Sequence, residues 1–160
     1  MIIEVIIEIP KGSMNKYEVC KKTGRIKLDR VLFSAVVYPE NYGYLEQTLA
    51  EDNDPLDVFV ISTLPIIPGC IVEARIIGGI EMYDDGEQDT KLIAVVEHDP
   101  RFDHIKSLRN LGGHKLKEIK EFLKTYKNLQ NKQVVVKDFF NKQQAIAILK
   151  KSQQNYINAK

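Results

Sequence analysis

Between residues 51 and 61 the chain reads Glu51-Asp52-Asn53-Asp54-Pro55-Leu56-Asp57 and then Val58-Phe59-Val60-Ile61. Three aspartates this close repel one another, and they stay ionised at neutral pH only where a cation or a shared proton relieves the repulsion. An extended backbone points Asp52 and Asp54 to the same side. Pro55 then bends the chain and Asp57 stands at the mouth of an apolar strand. A hard, oxygen-seeking ion such as Mg2+ suits such a group. A second acidic stretch, Tyr83-Asp84-Asp85-Gly86-Glu87-Gln88-Asp89, also borders strand-like sequence. If the two loops converge, Asp52, Asp57, Asp84 and Asp89 form an oxygen-only site that holds Mg2+ and leaves it several waters. Neither loop is specific alone, because Asp-x-Asp is common in surface turns. Pro55 and Leu56 also occupy the middle of the run, where an EF-hand loop needs glycine.

The basic residues extend the chemistry. Lys16, Arg30, Lys91 and Lys127 each lie beside an acidic or tyrosine-bearing motif, and Lys91 follows Asp89 by two, on the same side of an extended chain. Carboxylates for metal ions and a ring of lysine and arginine suit a polyanionic phosphate substrate, gripped by ions on one side and cations on the other. Phosphoryl transfer to water needs that division: charge is neutralised, the nucleophile is held in line and the leaving phosphate is stabilised.

The elements that must position these groups follow from patterning. Residues 2 to 9 alternate, with Ile3, Val5, Ile7 and Ile9 on one side and Ile2, Glu4, Ile6 and Glu8 on the other, as in a strand. Extended sequence resumes over residues 16 to 20, Lys22-Thr23-Gly24 is a turn, and 31 to 37 is an apolar run. Tyr38-Pro39-Glu40-Asn41-Tyr42-Gly43-Tyr44 reads as a loop carrying three tyrosines. Further strands are predicted at 57 to 62, 70 to 78 and 91 to 97, with Gly78-Gly79 as punctuation. From Lys115 the period becomes helical through Leu116, Ile119, Phe122, Leu123 and Tyr126. A strand at 134 to 140 precedes a second helix, for which Asn141 is the N-cap. Short strands first and helices last predict an α+β fold built on a small barrel or curled sheet.

Composition bounds the rest. With 160 residues, 44% hydrophobic and 28% charged, the chain is a single globular domain over residues 1 to 160. Met1 to Pro10 is interrupted by two glutamates, carries no basic leader and is too short to cross a bilayer. Cys20 and Cys70 fit reduced thiols, so the expected location is cytoplasmic. The net charge of +1 divides unevenly: residues 1 to 102 hold 10 Lys/Arg against 18 Asp/Glu, and residues 103 to 160 hold 13 against 4. The late lysines are those of solvated helix faces, with few interleaved aromatics to stack bases.

In order and spacing, Glu8-Ile9-Pro10, Lys16-Tyr17-Glu18, Asp29-Arg30, Tyr38-Pro39-x-Asn41-Tyr42-Gly43, Asp52-x-Asp54-Pro55-x-Asp57, Asp84, Asp89-x-Lys91 and Tyr126-Lys127 resemble family I soluble inorganic pyrophosphatase, prokaryotic type. The resemblance runs from about residue 5 to residue 130. It implies a five-stranded OB-like β-barrel with two main α-helices against it, and metal-dependent hydrolysis of inorganic pyrophosphate to two orthophosphates by a metal-activated water. That activity would drive biosynthetic reactions that release pyrophosphate. Carried over by position, Asp52, Asp57 and Asp89 would hold the first Mg2+, with Asp57 bridging to a second. Asp84 and Asp89 would hold an ion brought with substrate and Glu8 a further one, three to four in all. Asp54 would be the general base. Lys16, Arg30, Tyr42, Lys91, Tyr126 and Lys127 would bind the phosphates, Arg30 and Lys91 also stabilising the leaving group, while Glu18 and Tyr38 support the site.

Read singly, several of these positions have plainer explanations: Glu8 pairs with Lys16, and Tyr42 and Tyr126 are half-buried core residues. The joint pattern carries the reading. The chain departs from the family at Cys20, where an aspartate is usual, at Asn110-Leu111-Gly112 in place of Asp-Leu-Pro, and at Asp138-Phe139 in place of Gly-Trp. Glu121 and Thr125 stand where some bacterial members carry histidines at subunit contacts, which bears on the homohexamer that the resemblance implies. The rival readings are a non-catalytic OB-like nucleic-acid-binding barrel and a divalent-metal-binding module. The first leaves the clustered aspartates unexplained, since without metal they repel phosphates. No nucleic-acid or membrane partner is expected.

Overall fold

The computed structural model describes residues 1–160. In chain order the strands are β1 (Ile2–Ile9), β2 (Asn15–Val19), β3 (Ile26–Val31), β4 (Asn41–Tyr44), β5 (Asp57–Ile61), β6 (Ile71–Asp84), β7 (Glu87–Gln88), β8 (Lys91–Val96) and β9 (Val134–Asn141), with helices α1 (Gly113–Thr125) and α2 (Lys142–Asn158). Five strands close into a ring in the order β1, β4, β5, β8, β6, because β6 pairs back onto β1. Closure removes the free strand edges that an open sheet would expose. Only β5 and β8 run parallel. The long strand β6 serves the ring with its first part and pairs β7 and β9 with its last. Strands β2 and β3 form a separate two-stranded ribbon beside the ring. The α+β class, the five-stranded barrel and the two helices are thus present. No helix is long and apolar enough to cross a membrane.

Alternation along the ring strands buries both faces. Val58 and Val60 join Val5, Ile7, Leu92, Ala94 and the α2 residues Ala145 and Leu149 in one core. Phe59 and Ile61 point the other way, into a core with Ile93, Val95, Tyr38, Tyr42, the α1 residues Ile119, Phe122 and Leu123, and Tyr126 at the C-cap of α1. Burying a side chain the size of Phe59 contributes about 2–3 kcal/mol, so each helix is held by its apolar stripe and carries its polar residues to defined places. Asn141 caps α2 as its sequence predicts: its side chain accepts from Gln144 N at 3.0 Å, and Gln144 Oε1 accepts from Asn141 N at 3.1 Å.

Two local expectations are corrected, and the apolar run 31 to 37 is given its place. Residues 41 to 44 are not loop but strand β4, seated between β1 and β5. The tyrosines disguise it, and Gly43 permits it, because a Cβ there would lie 2.0 Å from the Ile6 carbonyl oxygen. The apolar run 31 to 37 contributes only its first residue to β3; Leu32 is buried, whereas Phe33 and Val37 remain largely exposed. Gly78-Gly79 does not end a strand. The register shifts there, between Ile76 and Gly78, and β6 continues to Asp84, while a Cβ at Gly79 would sit 2.2 Å from the Phe140 ring. Glycine at this point admits a bulge and an aromatic neighbour, which a one-dimensional reading takes for a stop.

Candidate active site

Strand register places the central charges. In the parallel pair β5–β8, Asp57 stands opposite Lys91, and in the antiparallel pair β4–β5 it stands opposite Tyr44 with Tyr42 two pairs along, on the same face. Asp57 Oδ2 accepts from Lys91 Nζ at 2.6 Å and from the Tyr42 hydroxyl at 2.7 Å. The same ammonium donates to Asp89 Oδ1 at 2.6 Å. Asp89 is brought there by its own backbone, whose N–H donates to the Met82 carbonyl across the Asp85-Gly86 turn. Both residues of that turn have positive φ, 48° and 83°, and the strands on either side pair Asp84 with Glu87. Lys91 is buried. Burial disfavours its charge, but Asp57 and Asp89 outweigh that and hold its pKa above the ordinary lysine value.

Bulges aim other groups. The β1–β4 register shifts between Ile7 and Ile9, leaving Glu8 as the extra residue. Ile9 thereby changes from one core to the other, and the Glu8 carboxylate turns toward the cavity, where it accepts from Val19 N at 2.7 Å. Burial, opposed by that hydrogen bond and reinforced by the charge of Asp57, raises the Glu8 pKa to about 7. A second irregularity, between Lys16 and Tyr17, leaves Asp29 as the extra residue of β3. Its carboxylate accepts from Lys16 Nζ at 3.0 Å and from Arg30 at 3.2 Å, so it ties two of the predicted phosphate ligands together. The sequence reading left Asp29 without a role; its adjacency to Arg30 was the available signal.

The loop after β4 presents Asp52 and Asp54. Asn53 takes a left-handed conformation, φ 64°, and Asp52 Oδ1 accepts from Asp54 N at 3.1 Å. Asp52 is pushed up to about 6, first by burial and then by the charges of Asp89 and Asp57. Asp54 is mostly exposed, with Lys21 of the β2–β3 turn 3.5 Å from Oδ1. Across the cavity, Lys127 Nζ pairs with Asp84 Oδ2 and lies 5.3 Å from the Tyr126 ring centre. Tyr38 packs between Tyr42 and Phe122, with ring centres 5.4 and 4.7 Å away. Burial raises the pKa values of Tyr38, Tyr42 and Tyr126 above the ordinary phenol value, so all three are neutral hydrogen-bonding groups at pH 7.

These groups border one open cavity of about 1050 Å³. Every residue singled out from the sequence lines it: Glu8, Lys16, Glu18, Arg30, Tyr38, Tyr42, Asp52, Asp54, Asp57, Asp84, Asp89, Lys91, Tyr126 and Lys127. Cys20 and Lys21, at the turn of the β2–β3 ribbon, add to its rim. The carboxylates share the cavity without enclosing an ion among themselves: no three are drawn together closely enough, and the ammonium groups of Lys91 and Lys127 stand between or against them. Acidic oxygens are thus interleaved with lysine, arginine and phenol donors, an arrangement that can take a multiply charged anion together with its counter-ions.

Comparison with known proteins gives the arrangement a family. The inorganic pyrophosphatase family profile matches residues 5–157. The inorganic pyrophosphatase of Halalkalibacterium halodurans is 56% identical over 135 residues, which cover 84% of this chain and 83% of that protein. Soluble inorganic pyrophosphatase 5 of Arabidopsis thaliana is 50% identical over 156 residues, 98% of this chain and 72% of that one. The crystal structure of inorganic pyrophosphatase from Thermus thermophilus superposes with a TM-score of 0.94 at 41% identity, covering 97% of this chain and 91% of that chain. With most of its length matched at such identities, the chain belongs to the family I soluble inorganic pyrophosphatases.

Proposed function

We propose that the cavity binds pyrophosphate with divalent ions and that the residues around it have the separate roles their positions allow. The protein is an inorganic pyrophosphatase, a hydrolase that converts pyrophosphate to two orthophosphates, and this family's reaction is metal-dependent. The observation that carries the assignment of roles is the convergence on Lys91: an ammonium 2.6 Å from both Asp57 and Asp89, with the Tyr42 hydroxyl on the same Asp57 oxygen.

The donor set fits hard divalent ions. It is all oxygen, Asp84 Oδ1 is buried with no hydrogen-bond partner, and Glu8 and Asp52 are protonated more readily than ordinary carboxyls because burial and neighbouring negative charge penalise their ionisation. A bound cation relieves that penalty. Asp52, Asp57 and Asp89 would hold the first ion, with Asp57 shared with a second; Asp84 and Asp89 would hold one brought by substrate, and Glu8 a further one. The ions proposed are Mg2+, three to four per site. The chemistry they supply is a coordinated water whose pKa falls toward neutrality, together with neutralisation of phosphate charge.

The chain's own residues do the rest. Lys16 and Arg30, held by Asp29, and Lys91 and Lys127 offer cationic donors to the phosphate oxygens, and Tyr42 and Tyr126 offer neutral O–H donors from a fixed aromatic wall. Asp54 accepts the proton of the attacking water: its carboxylate is largely exposed at the cavity mouth and is committed to no buried partner. Arg30 and Lys91 stabilise the charge that builds on the leaving phosphate. Glu18 lies near Glu8 and adds negative charge there, and Tyr38 supports Tyr42 from behind. Self-association, as a homohexamer, is part of the same reading; the exposed Phe33 and Val37 side chains support a covered face, and sedimentation counts the copies. A cytoplasmic location is likewise proposed. Orthophosphate release from Mg-pyrophosphate by the purified chain tests the function: turnover that persists after complete chelation would overturn the metal-dependent reading.

A further inference from the structure

Helix α2 meets the Asp52 loop along one turn. The Leu49 N–H donates to the Ser152 carbonyl at 2.9 Å, and the Leu49 carbonyl accepts from Asn155 Nδ2 at 3.3 Å. Beside them Lys151 pairs with Glu51. Lys151 and Asn155 are four apart and lie on one helix face, and Ser152 is buried. Two bonds to one residue set its rotation as well as its place. From Leu49 onward the loop is internally braced: Ala50 N donates to the Asp54 carbonyl at 2.8 Å, Asn53 N to the Ala50 carbonyl at 3.1 Å and Asp54 N to Asp52 Oδ1 at 3.1 Å. Thr48 closes the loop on its own ends, its hydroxyl donating to the Leu45 carbonyl at 2.6 Å and accepting from Leu56 N at 2.9 Å. The segment is thus cross-braced within itself, and it is attached outward to α2, itself seated by Ala145 and Leu149 in the core.

We propose that Asn155, seconded by Lys151, is a positioning residue for the ion site, fixing through Leu49 and Glu51 where Asp52 stands in the cavity. This rests on the reading of Asp52 as an ion ligand. Neither α2 side chain touches substrate or ion; each acts by sparing the ion the work of ordering the loop. The sign of the effect separates this from simple electrostatics. Removing a lysine near an acidic site should tighten cation binding if charge alone matters, whereas loss of the attachment weakens it.

The test is titration of Mn2+ alone into the metal-free full chain, followed by the EPR signal of the free ion. The variants are Asn155→Leu, which keeps the size and loses the donor, Lys151→Met, and the two combined, with Asp52→Asn as control. Loss of one hydrogen bond predicts about fivefold weaker Mn2+ binding for Asn155→Leu, about twofold for Lys151→Met and about tenfold for the pair, with KM for pyrophosphate at saturating Mn2+ unchanged. Unchanged or tighter Mn2+ binding in these variants, with Asp52→Asn clearly weakened, would overturn the positioning role and leave the ligand standing. So would a lowered melting temperature with unchanged affinity, which marks a purely structural contact. If Asp52→Asn itself binds Mn2+ like the parent protein, the ligand assignment fails and the inference falls with it.

Discussion

Replacing Lys91 by methionine keeps the length of the side chain and removes the ammonium between Asp57 and Asp89. In the metal-free protein the two carboxylates then face each other across a site whose lysine was 4% exposed, while they themselves are 26% and 16% exposed. Deleting one partner of a fully buried ion pair costs about 3–5 kcal/mol. Because water still reaches both aspartates, the lower end applies, about 3 kcal/mol. For a chain of this size each kcal/mol moves the melting temperature by about 2–4 °C, so Lys91→Met should melt about 6–12 °C below the parent protein in EDTA. Saturating Mg2+ should narrow that gap, because the ion takes over the neutralisation that lysine performed. Activity at saturating Mg2+ should nonetheless fall by about 10²–10³, the loss typical of one stabilising donor at a developing anion. Paired thermal melts with chelator and with Mg2+ decide the matter. A metal-free loss below about 1 kcal/mol, or a gap that Mg2+ leaves unchanged, would refute the claim that Lys91 balances the two carboxylates.

Asp57→Asn should weaken divalent-ion binding and reduce turnover by orders of magnitude, whereas Asp54→Asn should chiefly change rate and pH dependence at near-parental ion affinity; Mn2+ titration beside pH–rate profiles separates them, and robust activity in Asp57→Asn would remove the bridging assignment. Glu8 and Asp52, at about 7 and about 6 in the folded protein, bind more protons folded than unfolded between about pH 4 and pH 7, because ordinary unfolded carboxyls titrate near 4. Their contribution to metal-free stability is therefore full below about pH 4 and lost progressively as pH rises to about 7, so the metal-free melting temperature should fall from about pH 4 to about pH 7 and the fall should disappear with saturating Mg2+. Cys20 is held below the ordinary thiol pKa first by the Thr23 hydroxyl and then by the Thr23 and Lys22 backbone N–H groups. It sits on the cavity rim, so mild peroxide or iodoacetamide should modify it ahead of Cys70 and slow turnover; unchanged activity after stoichiometric modification of Cys20 would dismiss the effect.

Local chemistry was legible wherever it obeyed a short-range rule. The alternation of residues 2 to 9, the Asn141 cap and the helical stripe through Ile119, Phe122 and Leu123 report burial at periods of two and 3.6, and the chain folds accordingly. Strand β4 escaped because its tyrosines and glycine resemble loop sequence, and its pairing depends on how closely Gly43 can approach β1. The continuation of β6 through Gly78-Gly79 escaped for a similar reason: bulges are settled by the partner strand. Asp29 was overlooked as a tether, since only the irregular β2–β3 register shows that one carboxylate serves both Lys16 and Arg30.

By itself the sequence determined which groups are available: an oxygen-rich acidic set, a cationic set and three phenols in an order specific enough to mark a family. Those are properties of residue type and spacing, and no folding is needed to count them. Only the tertiary structure decided how they face one another. The parallel β5–β8 register puts Lys91 across from Asp57, 34 positions away, the bulge in β1 turns Glu8 into the cavity, and α2 braces the Asp52 loop from about a hundred residues downstream. Electrostatic interactions depend on distance and on exclusion of water. Both are set by chain closure and packing, to which the spacing of residues along the sequence is blind.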